Sequence, residues 1–102
     1  MVEVRETEDY RAWFARLRDF HARARIVKRL KRLELGNPGD VKPVGEGVSE
    51  LRIDWGPGYR LYYTQQRAVV VVLLCGGDKT TQSSDIEKAK QMARELEIDD
   101  GP

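Results

Sequence analysis

Glu50-Leu51-Arg52-Ile53-Asp54-Trp55-Gly56-Pro57-Gly58-Tyr59-Arg60-Leu61-Tyr62-Tyr63-Thr64 is the stretch on which the fold turns. Two segments of alternating polarity flank a Gly-Pro-Gly turn, which predicts a β-hairpin. Alternation sends Leu51, Ile53 and Trp55 to one face and Glu50, Arg52 and Asp54 to the other. In the return strand Tyr59, Leu61 and Tyr63 oppose Arg60, Tyr62 and Thr64. With Trp55 set opposite Tyr59, Asp54 meets Arg60 and Arg52 meets Tyr62. One face is then core, and the other is an ordered array of arginine, tyrosine and carboxylate. The apolar run at 69–74 reads as a third, more buried strand, leading into Gly76-Gly77-Asp78-Lys79.

Working outward, 42–48 is a glycine-interrupted lead-in to the hairpin. Before it, Gly36-Asn37-Pro38-Gly39 stops a helix. Asp19 caps that helix, with Ile26, Val27, Leu30 and Leu33 on its inner face. Thr7 caps an earlier one in which Tyr10, Trp13, Phe14 and Leu17 recur at helical spacing. Residues 2–5 alternate briefly as a short strand. Downstream, Ser84-Asp85-Ile86-Glu87 reads as a capping box, followed by an apolar stripe of Ile86, Ala89, Ala93 and Leu96. The expected fold is α+β, in the order β-α-α-β-β-β-α. It has a small, mainly antiparallel sheet, a helix pair on one face and a C-terminal helix. Residues 1–102 form one domain, with 97–102 expected to fray.

A chain of 102 residues supports a single core, and 40% hydrophobic with 34% charged residues fits a soluble protein. No apolar run approaches the roughly 18–20 residues that span a bilayer, so no membrane partner is expected. The first residues lack the apolar stretch of a signal peptide, and Cys75 stands alone, excluding an internal disulfide. A cytoplasmic location is expected. The net charge of +1 hides an asymmetry: residues 1–35 carry ten Lys/Arg against six Asp/Glu, and 83–102 carry three against six.

His21 is the only histidine, which excludes a paired-imidazole ribonuclease. Neither a zinc-ligand cluster nor a Gly-Lys-Ser/Thr phosphate loop is present, and no base accompanies a serine or cysteine nucleophile. No metal and no cofactor are therefore expected. The remaining candidates are cationic. Arg52 and Arg60 share the hairpin's polar face with Tyr62 between them, Lys79 emerges beyond the next strand, and Lys42 comes from the lead-in. Guanidinium groups bind phosphate bidentately and stabilise phosphoryl-transfer charge. A lysine among arginines loses its proton more readily, so Lys79 is the proton-transfer candidate, and Tyr62 could stack on a base. The competing reading is a cross-strand Asp54–Arg60 ion pair of about 0.2–1 kcal/mol. Arg25, Lys28, Arg29 and Arg32 form a basic stripe at helical spacing. RNA or an acidic protein segment would relieve its self-repulsion, and a solvated basic face is the plain alternative. Glu50 and Asp54 on the arginine face have no explanation at this level.

The combination of Leu33-Glu34-Leu35-Gly36-Asn37, the run from Asp40 through Ile53, Gly56-Pro57-Gly58-Tyr59-Arg60 and Leu74-Cys75-Gly76-Gly77-Asp78-Lys79 resembles the RelE/ParE toxin superfamily. The likeness runs from about Val4 to Leu96 and is strongest to the HigB-like, phage Gp49-like "addiction module killer" branch. That resemblance implies the toxin of a type II toxin–antitoxin pair, a ribosome-dependent endoribonuclease that cuts mRNA through attack of the ribose 2′-hydroxyl. It implies Arg52, Arg60 and Lys79 as catalytic, with Tyr62 and Lys42 on the substrate. Its implied partners are the ribosome, mRNA and a cognate helix-turn-helix, HigA-like antitoxin. ParE-like members of the superfamily inhibit DNA gyrase instead, which is the alternative function.

Overall fold

The computed structural model describes residues 1–99. Along the chain it forms β1 (Glu3–Glu6), α1 (Glu8–Arg16), α2 (Phe20–Glu34), β2 (Val41–Gly45), β3 (Val48–Ile53), β4 (Tyr59–Arg67), β5 (Val70–Gly77), a 3₁₀ turn (Lys79–Thr81) and α3 (Gln82–Asp99). Five strands order as β1-β5-β4-β3-β2; β1 runs parallel to β5 and every other pair is antiparallel. The α+β class and mainly antiparallel sheet match expectation. The additional strand is β2, read from sequence as a lead-in. It lies at the sheet edge, where Pro43 does no harm to a ladder, and returns into β3 through positive φ at Gly45, Glu46 and Gly47.

The hairpin exists, with a different register. Ile53 faces Tyr59, Arg52 faces Arg60 and Glu50 faces Tyr62. Trp55 leaves the strand because its N–H bonds back to the Ile53 carbonyl at 2.9 Å, and the Gly58 N–H bonds to the Trp55 carbonyl at 3.1 Å. Gly56 and Gly58 close that loop with φ of 56° and 80°, conformations open to glycine. The slip is even, so each residue keeps its face while every cross-strand partner changes. Asp54 therefore lies in the loop, and the expected Asp54–Arg60 pairing is replaced by an arginine opposite an arginine.

Helices cover both faces of the sheet. Beneath α1 and α2, Tyr10, Ile26 and Leu33 pack on Leu51, Ile53, Leu61, Tyr63, Val71 and Leu73. Beneath α3, Ala89 and Ala93 pack on Val48, Tyr62, Val72, Leu74 and Cys75, with Ile86 and Leu96 at the margin. β5 supplies both cores, which is why its sequence is continuously apolar. A bulge leaves Leu74 unpaired between the Tyr62–Cys75 and Tyr63–Leu73 pairs, so Leu74 and Cys75 both turn toward α3.

Local signals held at two helix starts: Thr7 accepts from the Tyr10 N–H and Asp19 from the Ala22 N–H. Three readings change. Val27 is 44% exposed and not part of the inner face of α2. The cap before α3 is Asp78, in a reciprocal capping box with Thr81, and Ser84 sits one turn into the helix. The tail expected to fray from 97 is helical through Asp99, and 100–102 lie outside the described residues. The two glycines before Asp78 are explained by sterics. A Cβ at Gly76 would lie 2.5 Å from Trp13 Cδ2, and one at Gly77 would lie 2.8 Å from Asp85 Cγ.

Candidate anion site and nucleic-acid interface

Antiparallel pairing puts Arg52 and Arg60 side by side on the α3 face, where two like charges would repel. Glu50 supplies the counter-charge from within the fold, at 0% exposure. Arg52 Nε donates to Glu50 Oε1 at 3.1 Å. Tyr62 Oη and Gln82 Nε2 donate to Oε2 at 3.0 and 2.8 Å. With Oε2 already engaged, Arg60 Nε stands 4.0 Å from it as an ion pair. Burial pushes the Glu50 pKa up, but the donors Gln82, Arg52 and Tyr62 and the charge of Arg60 together hold it below the usual carboxylate value. Glu50 thus carries its charge inside the protein because four side chains stabilise it.

The terminal nitrogens of Arg52 and Arg60 have no protein acceptor among the described residues. Both residues border an open pocket of 260 Å³, lined by Arg52, Arg60 and Lys79 together with Asp40, Ile53, Asp54 and Gly58. The arginine side chains are 31% and 12% exposed, so both are largely buried while remaining open to solvent. Lys79 comes from the 3₁₀ turn capped by Asp78. Its aliphatic stem runs past Gly58, where an added Cβ would sit 3.6 Å from the lysine Cβ. The structure therefore gathers all three catalytic candidates into one concavity.

A second hollow of 210 Å³ adjoins it, lined by Arg25, Lys28, Arg29, Arg32, Ile53 and Asp54. Ile53 and Asp54 border both. The α2 stripe and the hairpin arginines are consequently one basic surface around the loop after β3. Its members differ in what they can bind. Arg25 lies over the Trp55 ring at 3.9 Å, and the Trp55 indole N–H donates to Asp19 Oδ2 at 2.9 Å. Trp55, read from sequence as core, bridges the loop to α2 from a half-buried position. Lys28 and Arg32 are exposed.

Two expected contacts are corrected. Tyr62 is 0% exposed and spends its hydroxyl on Glu50, so its ring offers no face to a base. Burial and the Glu50 carboxylate raise its pKa, keeping it a neutral donor. Arg29 donates to the carbonyls of Arg52 at 2.5 Å, Pro38 at 3.0 Å and Asp40 at 3.2 Å. It ties the segment before β2 and the end of β3 to α2 and has little capacity left for RNA. Lys42 faces the same side as Glu50, its cross-strand partner, but stands exposed on the edge strand outside both hollows. Gln82 and Asp40 were missed; nothing in sequence marks a helix-start glutamine as reaching a carboxylate on β3. Glu50 was visible only as an acidic residue between Val48 and Arg52 on a face expected to attract phosphate.

Chemically, the pocket offers two guanidinium groups and an ammonium for an anion, and Asp40 and Asp54 as proton acceptors. Cys75 is buried with its thiol pushed up to about 12, chiefly by burial, so it is no nucleophile. His21 is exposed beside Trp55 and borders neither hollow. Among the described residues no group of three or more His, Cys, Asp or Glu could hold a metal ion. No helix among them is long and apolar enough to cross a membrane.

Residues 2–96 match the sequence profile of the phage-derived Gp49-like proteins. A protein of Haemophilus influenzae described as uncharacterized is 48% identical over 95 residues, covering 93% of this chain and 96% of its own length.

Proposed function

The chain belongs to the phage-derived Gp49-like family, which is associated with toxin–antitoxin systems, and from that premise we propose that it is a ribosome-dependent mRNA endoribonuclease. The observation that carries this reading is the Arg52–Arg60 pair, joined by Lys79 around one pocket and free of protein acceptors at its tips. Such a group suits a phosphodiester whose charge grows in the transition state. The 2′-oxygen forms a bond to phosphorus as the bond from phosphorus to the 5′-oxygen breaks, leaving a 2′,3′-cyclic phosphate. Arg52 and Arg60 hold the non-bridging oxygens. Lys79 gives a proton to the departing 5′-oxygen. The 2′-hydroxyl proton passes to Asp54 or Asp40, the carboxylates of the same lining. Lys28 and Arg32, with Arg25 on its Trp55 support and Lys42 at the sheet edge, contact flanking phosphates, and the ribosome orients the message.

In the cell this activity belongs in the cytoplasm and is neutralised by a cognate helix-turn-helix antitoxin. Induction in growing bacteria followed by primer-extension mapping of mRNA ends tests it. Cuts confined to translated regions are expected, and Arg52→Ala and Arg60→Ala abolish them while antitoxin binding persists. Cuts in untranslated RNA contradict ribosome dependence. No cuts, with blocked supercoiling, would place the protein with gyrase inhibitors.

A further inference from the structure

We propose that Glu50 is the positioning residue of this site, a buried carboxylate that presets Arg52 and Arg60 as a two-guanidinium clamp for a phosphodiester. The inference rests on reading those arginines as the anion-binding pair. Simple charge counting says that a carboxylate under a phosphate site is a defect. The geometry says otherwise. Arg52 and Arg60 lie directly opposite each other on adjacent strands, and without an anion between them their guanidinium groups would swing apart. Glu50 pairs with both on the Nε side, through a 3.1 Å hydrogen bond from Arg52 and a 4.0 Å charge contact with Arg60, whose buried Nε has no hydrogen-bond acceptor among the described residues. With Glu50 on that side, the terminal nitrogens stay free of protein acceptors, and both residues line the pocket, where the planar fork matches phosphate oxygens.

The carboxylate is itself immobilised. Tyr62 from β4 and Gln82 from α3 both donate to Oε2, so three elements fix its plane. A surface glutamate would follow its arginine wherever that went. One that is 0% exposed, with a phenol and an amide on the same oxygen, dictates where the arginines go. Among the described residues Glu50 is also the only fully buried charged side chain. A buried carboxylate kept only for stability is a poor choice, since an apolar residue of similar size would commonly do as well.

The two readings predict opposite signs, which makes the test decisive. Glu50→Gln keeps the shape of the side chain and removes its charge. Inorganic phosphate is titrated into the isolated protein while the Arg52 and Arg60 Nε–Hε signals are followed by ¹H–¹⁵N NMR, assigned through Arg52→Lys and Arg60→Lys. Glu46→Gln, which removes an equal charge from the surface pair with Arg94, is the control. If Glu50 positions the clamp, Glu50→Gln weakens phosphate binding at least about tenfold and broadens both signals, while Glu46→Gln changes neither. If Glu50 merely opposes the anion, Glu50→Gln binds phosphate as well as wild type or better, and the proposal is overturned. Wild-type protein that shows no phosphate response at either arginine overturns it too. Should the variant fail to fold, the wild type decides. Slow rotation about the Nε–Cζ bonds of both arginines supports a held pair, and freely averaged signals refute it. Because none of these measurements involves ribosomes, a working clamp in a protein that cuts no mRNA would separate this inference from the endoribonuclease reading.

Discussion

Gly76→Ala tests how tightly the sheet is closed under α1. The added methyl would sit 2.5 Å from Trp13 Cδ2 and 2.6 Å from Cζ3. Carbon atoms in contact prefer about 3.5–4.0 Å, so the ring or the strand must give way by about 1 Å. Trp13 has little room to retreat, being flanked by Tyr10 at 5.9 Å and Tyr59 at 6.3 Å between ring centroids. Inserting one methyl into such a site costs about 1–3 kcal/mol, against which alanine recovers roughly 0.5–1 kcal/mol of glycine's backbone freedom. An overlap of about 1 Å places this site in the upper half of that cost, about 2–3 kcal/mol, so the net expectation is a loss of about 1–2.5 kcal/mol. For a domain of this size that lowers Tm by about 4–20 °C. Urea denaturation followed by far-UV circular dichroism measures the free energy, and an unchanged m-value would show that only stability moved. Trp13→Leu in the Gly76→Ala background should relieve the clash, so that the double variant is more stable than the two single losses summed. Gly76→Ala within about 0.5 kcal/mol of wild type, or strictly additive behaviour, would refute the packing explanation of the Gly-Gly pair.

Arg29→Ala should destabilise the fold by about 2 kcal/mol, since three carbonyls lose a charged donor. The salt dependence of RNA binding should stay as in wild type in that variant, whereas Lys28→Ala and Arg32→Ala should flatten it with little effect on Tm. The Glu50 pKa is lowered in the folded state, so its contribution to stability is complete above the unfolded value of about 4.3 and is lost as pH falls through the lower folded value. Acidification below about pH 4 should therefore reduce the urea midpoint, and Glu50→Gln should show a smaller reduction. Cys75, buried and poorly ionised, should resist iodoacetamide at pH 8 and react when urea unfolds the chain. Fast labelling of the native protein would contradict its burial.

Face assignment was legible because it depends only on period: Leu51, Ile53, Leu61 and Tyr63 did reach the α1–α2 core, and Arg52 and Arg60 did share the opposite face. Register was not, because it depends on how many residues the loop absorbs. The backbone bonds that pull Trp55 out of line have no signature beyond two glycines. What α3 covers was hidden for the same kind of reason. Its narrow Ile86, Ala89, Ala93 and Leu96 stripe announced a packing surface without saying that the tyrosine–carboxylate part of the hairpin face lay beneath it. Charge alone likewise cannot separate Arg29, tied to three carbonyls, from Arg32 one turn away and exposed. The basic stripe was correct as a pattern and wrong as a uniform surface.

The parallel pairing of β1 with β5 sets the order in which the molecule can be assembled as it is synthesised. Thr7 donates to the Leu74 carbonyl across 67 positions, and among the described residues β1 pairs with β5 alone. Chains leave the ribosome N-terminus first, so the strand made earliest waits for one made late. The arginine pair waits longer still, because Gln82 and Lys79 follow β5. The nascent chain therefore carries both arginines out of the ribosome before Gln82 can reach Glu50, and the Glu50 network closes only when the start of α3 docks against β3.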